Sequence, residues 1–178
     1  MAMEKNCLCI IGGGYVGFPL ALCFLRSPKI SKVIIFDIDQ KKVKYFNEGK
    51  SYLSDFSDED MKNFARSGGV ITDKLQDCVD CTGYFIAVPT PLDKYREPDL
   101  SYIDQALKSI KNLIKKNDLI SLESTTYPGS TRELFNKVFQ DHHYRIGVDF
   151  FVCYSPERED PGNKLKYRDK LSKVPKIL

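Results

Sequence analysis

The stretch CIIGGGYVGFPLAL, residues 9–22, constrains this chain more than any other, because it sets four glycines into an otherwise almost wholly apolar run. The apolar residues Cys7–Ile11 are short, lack polar alternation and stop at glycine, the pattern of a parallel strand buried on both faces. Helix formers follow from Tyr15 to about Arg26, with Pro19 close enough to the start to sit in the opening turn. A second buried strand, Val33–Phe36, ends in Asp37. Strand, glycine turn, helix and strand make one βαβ unit.

Gly12, Gly14 and Gly17 satisfy G-x-G-x-x-G, and each spacing has a physical reason. The first glycine allows the turn out of the strand, the second lets a pyrophosphate approach the backbone, and the third permits close helix packing. The phosphates would meet unpaired N–H groups and the positive end of the helix dipole. Asp37 stands twenty residues after Gly17, where a ribose-binding carboxylate belongs. An ionised Asp37 accepts hydrogen bonds from ribose hydroxyls and repels an additional phosphate there, so the expected cofactor is NAD rather than NADP.

Alternation continues along the chain. Helices are expected near Gln40–Phe46, from Ser57 with acidic residues in its first turn, from Ser101 to Ile114 and from Ser130 to Phe139. Strands are expected around Val70 and Ile71, at YFIAV (84–88), at LISLES (119–124) and at Phe150–Tyr154. The resulting fold class is α/β, a Rossmann-like doubly wound parallel sheet with helices on both faces. Residues 1–155 show no internal linker and form one NAD-binding domain on this reading. Beyond SPEREDPGN the sequence turns basic and holds no complete further element, so 156–178 is expected to begin a connection.

Composition narrows the function classes. At 42% hydrophobic and 29% charged residues the chain is of ordinary globular type, and 27 basic against 24 acidic residues are mixed along it, so no face is dedicated to nucleic acid. No apolar run suits a membrane span and no signal peptide is evident, which places the expected chain in the cytoplasm with no membrane partner. Six cysteines suit a reducing compartment as free, buried thiols. Cys78 and Cys81 form a lone C-x-x-C with no second pair or suitably spaced histidine, so a structural role is expected and no metal. His142 and His143 are expected in a loop after a helix.

IIGGGYVGFPLA, FDIDQKKV, VPTPL, PDLSYI, LESTTYPGSTRE and YSPEREDPGN resemble, in order and spacing, the N-terminal domain of the UDP-glucose/GDP-mannose dehydrogenase family. The resemblance covers nearly the whole chain. ESTTYPG with SPEREDPGN is more similar to the branch acting on UDP-N-acetylhexosamines than to the UDP-glucose branch. It implies an NAD-dependent oxidation of the C6 alcohol of a UDP-sugar to the carboxylate in two hydride transfers, within nucleotide-sugar metabolism and polysaccharide biosynthesis. A cysteine holds the aldehyde covalently, so that no reactive intermediate is released. UDP-N-acetylglucosamine is the favoured substrate. UDP-N-acetylmannosamine, UDP-glucose, a non-catalytic NAD-binding module and an unrelated oxidoreductase using Glu157 or Tyr127 as base are the alternatives.

Residue by residue, the resemblance implies that Gly12, Gly14 and the backbone of Tyr15 and Val16 hold the pyrophosphate, with Gly17 the third glycine of this cofactor-binding motif, that Asp37 holds the ribose and that Lys42 lies near the adenosine end. Thr90 of PTP would line the cofactor site. Thr125, in competition with Ser124 and Thr126, would hold a water or the substrate near the reacting carbon, and Glu157 would act as a base through water in thioester hydrolysis. The UDP-glucose enzymes carry a further glutamate four residues on, where this chain has Pro161. The family's central dimer helix, UDP-binding domain and catalytic cysteine belong to regions beyond this chain, so the chain alone is expected to be inactive and the full-length enzyme a homo-oligomer.

Overall fold

The computed structural model describes residues 6–156. Six strands, β1 (Asn6–Ile11), β2 (Ile30–Phe36), β3 (Gly69–Thr72), β4 (Gly83–Ile86), β5 (Leu119–Leu122) and β6 (Phe151–Tyr154), form one sheet in the order β3-β2-β1-β4-β5-β6. Every pairing is parallel. Five α-helices join them: α1 (Gly17–Leu25), α2 (Gln40–Asn47), α3 (Asp58–Arg66), α4 (Ser101–Ile110) and α5 (Ser130–Phe139). The expected doubly wound fold is therefore observed, and its strand order reverses direction between β1 and β4.

Alternation along the central strands divides the core in two. Leu8 and Ile10 of β1, with Val33 and Ile35 of β2, face Phe18 and Ala21 of α1 and Met61 and Phe64 of α3. Cys9 and Ile11, with Ile34 and Phe36, face Ile103, Leu107 and Ile110 of α4 and Leu134, Phe135 and Val138 of α5. A strand with both faces covered has no polar side to display, which is why β1 and β2 read as continuous apolar runs.

Local rules set most element ends, and tertiary contacts shift a few. Ser57 caps α3 in a capping box, its hydroxyl accepting from the Asp60 amide while the Asp60 carboxylate accepts from the Ser57 amide at 2.9 Å. Ser57→Ala is expected to cost about 1 kcal/mol, a fall in thermal midpoint of roughly 2–4 °C that a melting curve would read. β4 ends at Ile86 rather than at Val88 because the chain leaving β5 takes over its acceptors: the Glu123 and Ser124 amides both donate to the Ile86 carbonyl. α4 ends at Ile110 and tightens into a 3-10 turn over Lys111–Leu113, so the single helix expected through Ile114 is two segments.

Candidate functional site

A cavity of about 650 Å³ opens at the carboxyl ends of β1, β2 and β4, at the point where the strand order reverses. Its walls come from the glycine turn, from Phe36–Asp39 after β2, from Ala87–Pro89 after β4, and from one face of α4. Parallel strands all direct their carboxyl ends to this side, and the divergence of the crossovers on either side of β1 and β4 leaves the crevice between them.

The glycine turn has the shape its spacing implies. Gly12 adopts φ +102°, and a Cβ there would stand 2.6 Å from the Ala87 carbonyl oxygen. At Gly17 a Cβ would run into the carbonyl oxygen of Gly12, so this glycine sets how closely α1 packs beneath the turn. Gly14 differs from both: a Cβ there would meet nothing within 4 Å, and the residue lines the cavity. Free space at Gly14 is where a ligand can reach the backbone. The first turn of α1 carries no side-chain cap and no acidic residue, which leaves its end suited to an anion.

Asp37 is the anionic centre opposite this turn, and it is 6% exposed. Its Oδ2 accepts from the Gly13 amide at 2.8 Å and from Lys42 Nζ at 2.5 Å, while Oδ1 accepts from the Asp39 amide at 2.9 Å. Asp39 in turn caps α2 by accepting from the Lys41 amide, and this starts the helix in the register that brings Lys42 back onto Asp37. The Tyr52 hydroxyl is buried beside the same turn without a hydrogen-bond partner among the described residues; a Cβ at Gly13 would lie 2.9 Å from it and 3.4 Å from Asp37 Oδ2. Burial, and then the Asp37 charge, push the Tyr52 phenol upward and keep it protonated.

The residues present fit a dinucleotide. Open space at Gly14 on a helix N-terminus suits a pyrophosphate, the buried Asp37 carboxylate beside it suits a ribose, and Ile11, Val16, Ile38 and Val88 give the remainder an apolar lining.

Of the site residues expected from sequence, Gly12, Gly14, Tyr15, Val16, Asp37 and Lys42 meet at this cavity. Gly17 supports it from below. Thr90 is half-buried immediately after the lining residue Pro89 and is not itself in the wall. Thr125 lies exposed past the carboxyl end of β5, also outside the wall. Its neighbours are committed elsewhere: Ser124 Oγ donates to the Val88 carbonyl at 2.7 Å, and Thr126 Oγ1 donates to Ser130 Oγ at 2.7 Å. Glu157 lies outside the described residues. Sequence reasoning missed Tyr102, Gln105 and Ser109, which α4 presents to the cavity, and the orphaned Tyr52 hydroxyl. The helical spacing of 102, 105 and 109 was the available signal, although nothing local says which cavity that face meets.

Among the described residues no helix is long and apolar enough to cross a membrane, and no group of three or more His, Cys, Asp or Glu side chains is placed to hold a metal ion.

Comparison with known proteins gives a consistent result. Residues 6–174 match the model of the UDP-glucose/GDP-mannose dehydrogenase family, NAD binding domain. A UDP-N-acetyl-D-glucosamine 6-dehydrogenase of Pseudomonas aeruginosa is 34% identical over 173 residues, covering 97% of this chain and 40% of that protein. A UDP-N-acetyl-D-mannosamine dehydrogenase of Pyrococcus horikoshii is 31% identical over 161 residues, covering 89% of this chain and 38% of that protein. Among solved structures, a UDP-D-ManNAc dehydrogenase from Pyrococcus horikoshii superposes with TM-score 0.80 at 30% identity, covering 88% of this chain and 37% of that one. A ternary complex of GDP-mannose dehydrogenase from Pseudomonas aeruginosa superposes with TM-score 0.76 at 27% identity, covering 84% and 36%. The chain thus spans about 40% of the length of the curated relatives it matches.

Proposed function

The chain belongs to the UDP-glucose/GDP-mannose dehydrogenase family, as its NAD binding domain, and from that premise we propose that it forms the cofactor half of an enzyme oxidising the C6 alcohol of a UDP-N-acetylhexosamine to the carboxylate. The observation that carries the reading is the cavity at the β1/β4 crevice, with open backbone at Gly14 facing the buried Asp37 carboxylate. NAD, when bound, supplies the hydride acceptor, twice for each alcohol taken to a carboxylate.

In this reading each residue has its own part. Gly12 turns the chain, Gly14 and the amides of Tyr15 and Val16 receive the pyrophosphate, and Gly17 holds α1 against the turn. Asp37 receives the ribose hydroxyls and, through the Gly13 amide, fixes the loop that receives the phosphates. Lys42 holds the Asp37 carboxylate in place near the adenosine end. Pro89 shapes the wall after β4, and Thr90 beside it lines the approach to the reacting end. Thr125 is the hydroxyl at the end of β5 that remains exposed, which supports it over Ser124 and Thr126 as the group that positions water or substrate. Glu157, two residues past the described Ser155, serves as the base that activates water for hydrolysis.

We assign residues 1–155 to this domain and 156–178 to the start of the connection toward the substrate-binding part of a cytoplasmic, homo-oligomeric enzyme. UDP-N-acetylglucosamine is the favoured substrate, supported by the ESTTYPG and SPEREDPGN motifs and by the Pseudomonas aeruginosa relative. The UDP-N-acetyl-D-mannosamine dehydrogenases at similar identity make the C2 epimer the second reading.

Two measurements test the proposal. Calorimetry on the 178-residue chain should show NAD bound in preference to NADP, and absorbance assays with each UDP-sugar should show no NADH formed by the chain alone. Turnover by the isolated chain would remove the two-part site from the reading. In the full-length enzyme, Glu157→Gln should lower kcat by roughly 100-fold or more, the scale of a lost general base, and an unchanged kcat would exclude Glu157 from that role.

A further inference from the structure

Four of the six cysteines gather at the end of the sheet opposite the cofactor cavity. Cys7 and Cys9 share one face of β1, and the turn leading into β4 brings Cys78 and Cys81 to that face. Cys7 Sγ lies 3.1 Å from Cys81 Sγ, and Cys9 packs in the same buried cluster as Cys78 and Cys81. Cys9, Cys78 and Cys81 are fully buried, whereas Cys7 is half-buried and reaches the surface. Among the described residues no group of three or more His, Cys, Asp or Glu side chains is arranged to hold a metal ion. None of the six cysteines is in a disulfide.

We propose that Cys7 and Cys81 are a reversible dithiol/disulfide pair that closes by exchange with a low-molecular-weight disulfide such as oxidised glutathione. Backbone register already holds the two residues together, because the Thr82 amide donates to the Cys7 carbonyl at 3.0 Å. The sulfurs stand only about 1 Å beyond the ~2.05 Å of a formed bond, a gap that side-chain rotation closes. The hydrogen bond with Cys7 and then one with Cys9, with Lys32 and Lys115 adding positive potential, pull the Cys81 thiol well below its ordinary range, while the same contact with Cys81 pushes the Cys7 thiol well above its own, so Cys81 carries the thiolate and Cys7 the shared proton.

The exchange balances in two steps. The Cys7 sulfur, the one of the pair that reaches the surface, passes its proton to the Cys81 thiolate as it attacks the external disulfide, forms a mixed disulfide and expels one small thiolate. The Cys81 sulfur then gives that proton to the expelled small thiolate, attacks Cys7 Sγ, breaks the mixed disulfide and expels the second small thiolate. Two protein thiols are oxidised and one external disulfide is reduced to two thiols. Cys9 and Cys78 have no route to the external disulfide, which makes Cys7 the entry point. The bond would tie the start of β1 to the approach of β4, the two strands that flank the cofactor crevice at their other ends.

The test holds the 178-residue chain in glutathione buffers of increasing oxidised fraction, blocks free thiols with an alkylating agent, and maps peptides by mass without reduction. Expected is a Cys7–Cys81 linked peptide pair lighter by two hydrogens, accumulating with the oxidised fraction and lost on adding dithiothreitol, while Cys9 and Cys78 remain free. Cys81→Ser should halt the sequence at a glutathione adduct on Cys7, with circular dichroism confirming that the variant is folded. A glutathione adduct on Cys7 of the unsubstituted chain that never closes, a bond through Cys9 or Cys78, or complete resistance of the folded chain to oxidation would each overturn the proposal. The wild-type map decides the matter even where the variant fails to fold.

Discussion

Replacing Gly14 with alanine is expected to lower NAD affinity by roughly 10- to 100-fold while leaving the thermal midpoint in place, whereas Gly17→Ala is expected to lose binding and stability together. The difference lies in what each new methyl group meets. At Gly14 the space is open on the protein side, and alanine in the turn entering α1 restricts the unfolded chain, a stabilising effect of about 0.4–1 kcal/mol where the backbone conformation permits it. The methyl instead takes up room that the pyrophosphate needs. Losing one or two charge-assisted amide contacts there costs about 1.5–3 kcal/mol, which is the stated range of affinity. At Gly17 the methyl meets the Gly12 carbonyl, a backbone atom in a turn already held at φ +102° and pressed against Ala87. Neither backbone can yield without moving α1 or β4. Overpacking of this kind costs about 3 kcal/mol or more, a fall in thermal midpoint approaching ~10 °C in a domain of this size. Parallel melting curves and NAD titrations of the two variants would separate the roles. Equal loss of stability in both would mean that the turn is a packing device without a phosphate-receiving position.

The part of this site that could be read in the sequence is the part built from one βαβ unit. Gly12, Gly14, Gly17 and Asp37 act through backbone conformation and a fixed position at a strand end, and both are properties of short segments. Lys42 was partly legible, since the resemblance puts it near the adenosine end, whereas the Asp39 cap that starts the helix carrying it was not read from the sequence. That Lys42 returns to Asp37 depends on the angle at which α2 leaves the sheet, and no spacing encodes that angle. Tyr102, Gln105 and Ser109 share a helical spacing that marks one face, but what that face meets was hidden for a stronger reason. They reach the cavity from α4, whose position beside β1 follows from the strand order, and the choice among parallel orders is made by the whole core. The cysteine cluster shows the same limit. Cys78 and Cys81 drew attention as a C-x-x-C pair, yet the short contact runs from Cys81 to Cys7, 74 residues away. The ambiguity among Ser124, Thr125 and Thr126 is narrowed by hydrogen bonds to β4 and α5 that a one-dimensional reading does not contain.

Asp37→Ala is expected to remove most NAD affinity, by about 100-fold, and to abolish the preference for NAD over NADP. Three donors converge on the wild-type carboxylate, the Gly13 and Asp39 amides and Lys42 Nζ, and in the proposed function this group both receives the ribose and fixes the loop that receives the phosphates. Leaving the buried Gly13 amide without an acceptor costs about 1–3 kcal/mol by itself, and the lost ribose hydrogen bonds add to it. The change in selectivity has a separate cause. With Asp37 present, the Lys42 charge is neutralised and a second anion at the ribose meets a carboxylate. With Asp37 removed, Lys42 is left at the cavity edge without its counter-charge, where the additional phosphate of NADP becomes an attractive partner. The double variant Asp37→Ala, Lys42→Ala separates the two effects. It should keep the weak NAD binding of the single variant and lose the regained NADP binding, and that regained binding should fade as salt is raised, since it rests on an exposed ion pair. If the single variant instead kept its discrimination against NADP, the selectivity would reside in the shape of the Ile38 and Asp39 wall rather than in the carboxylate.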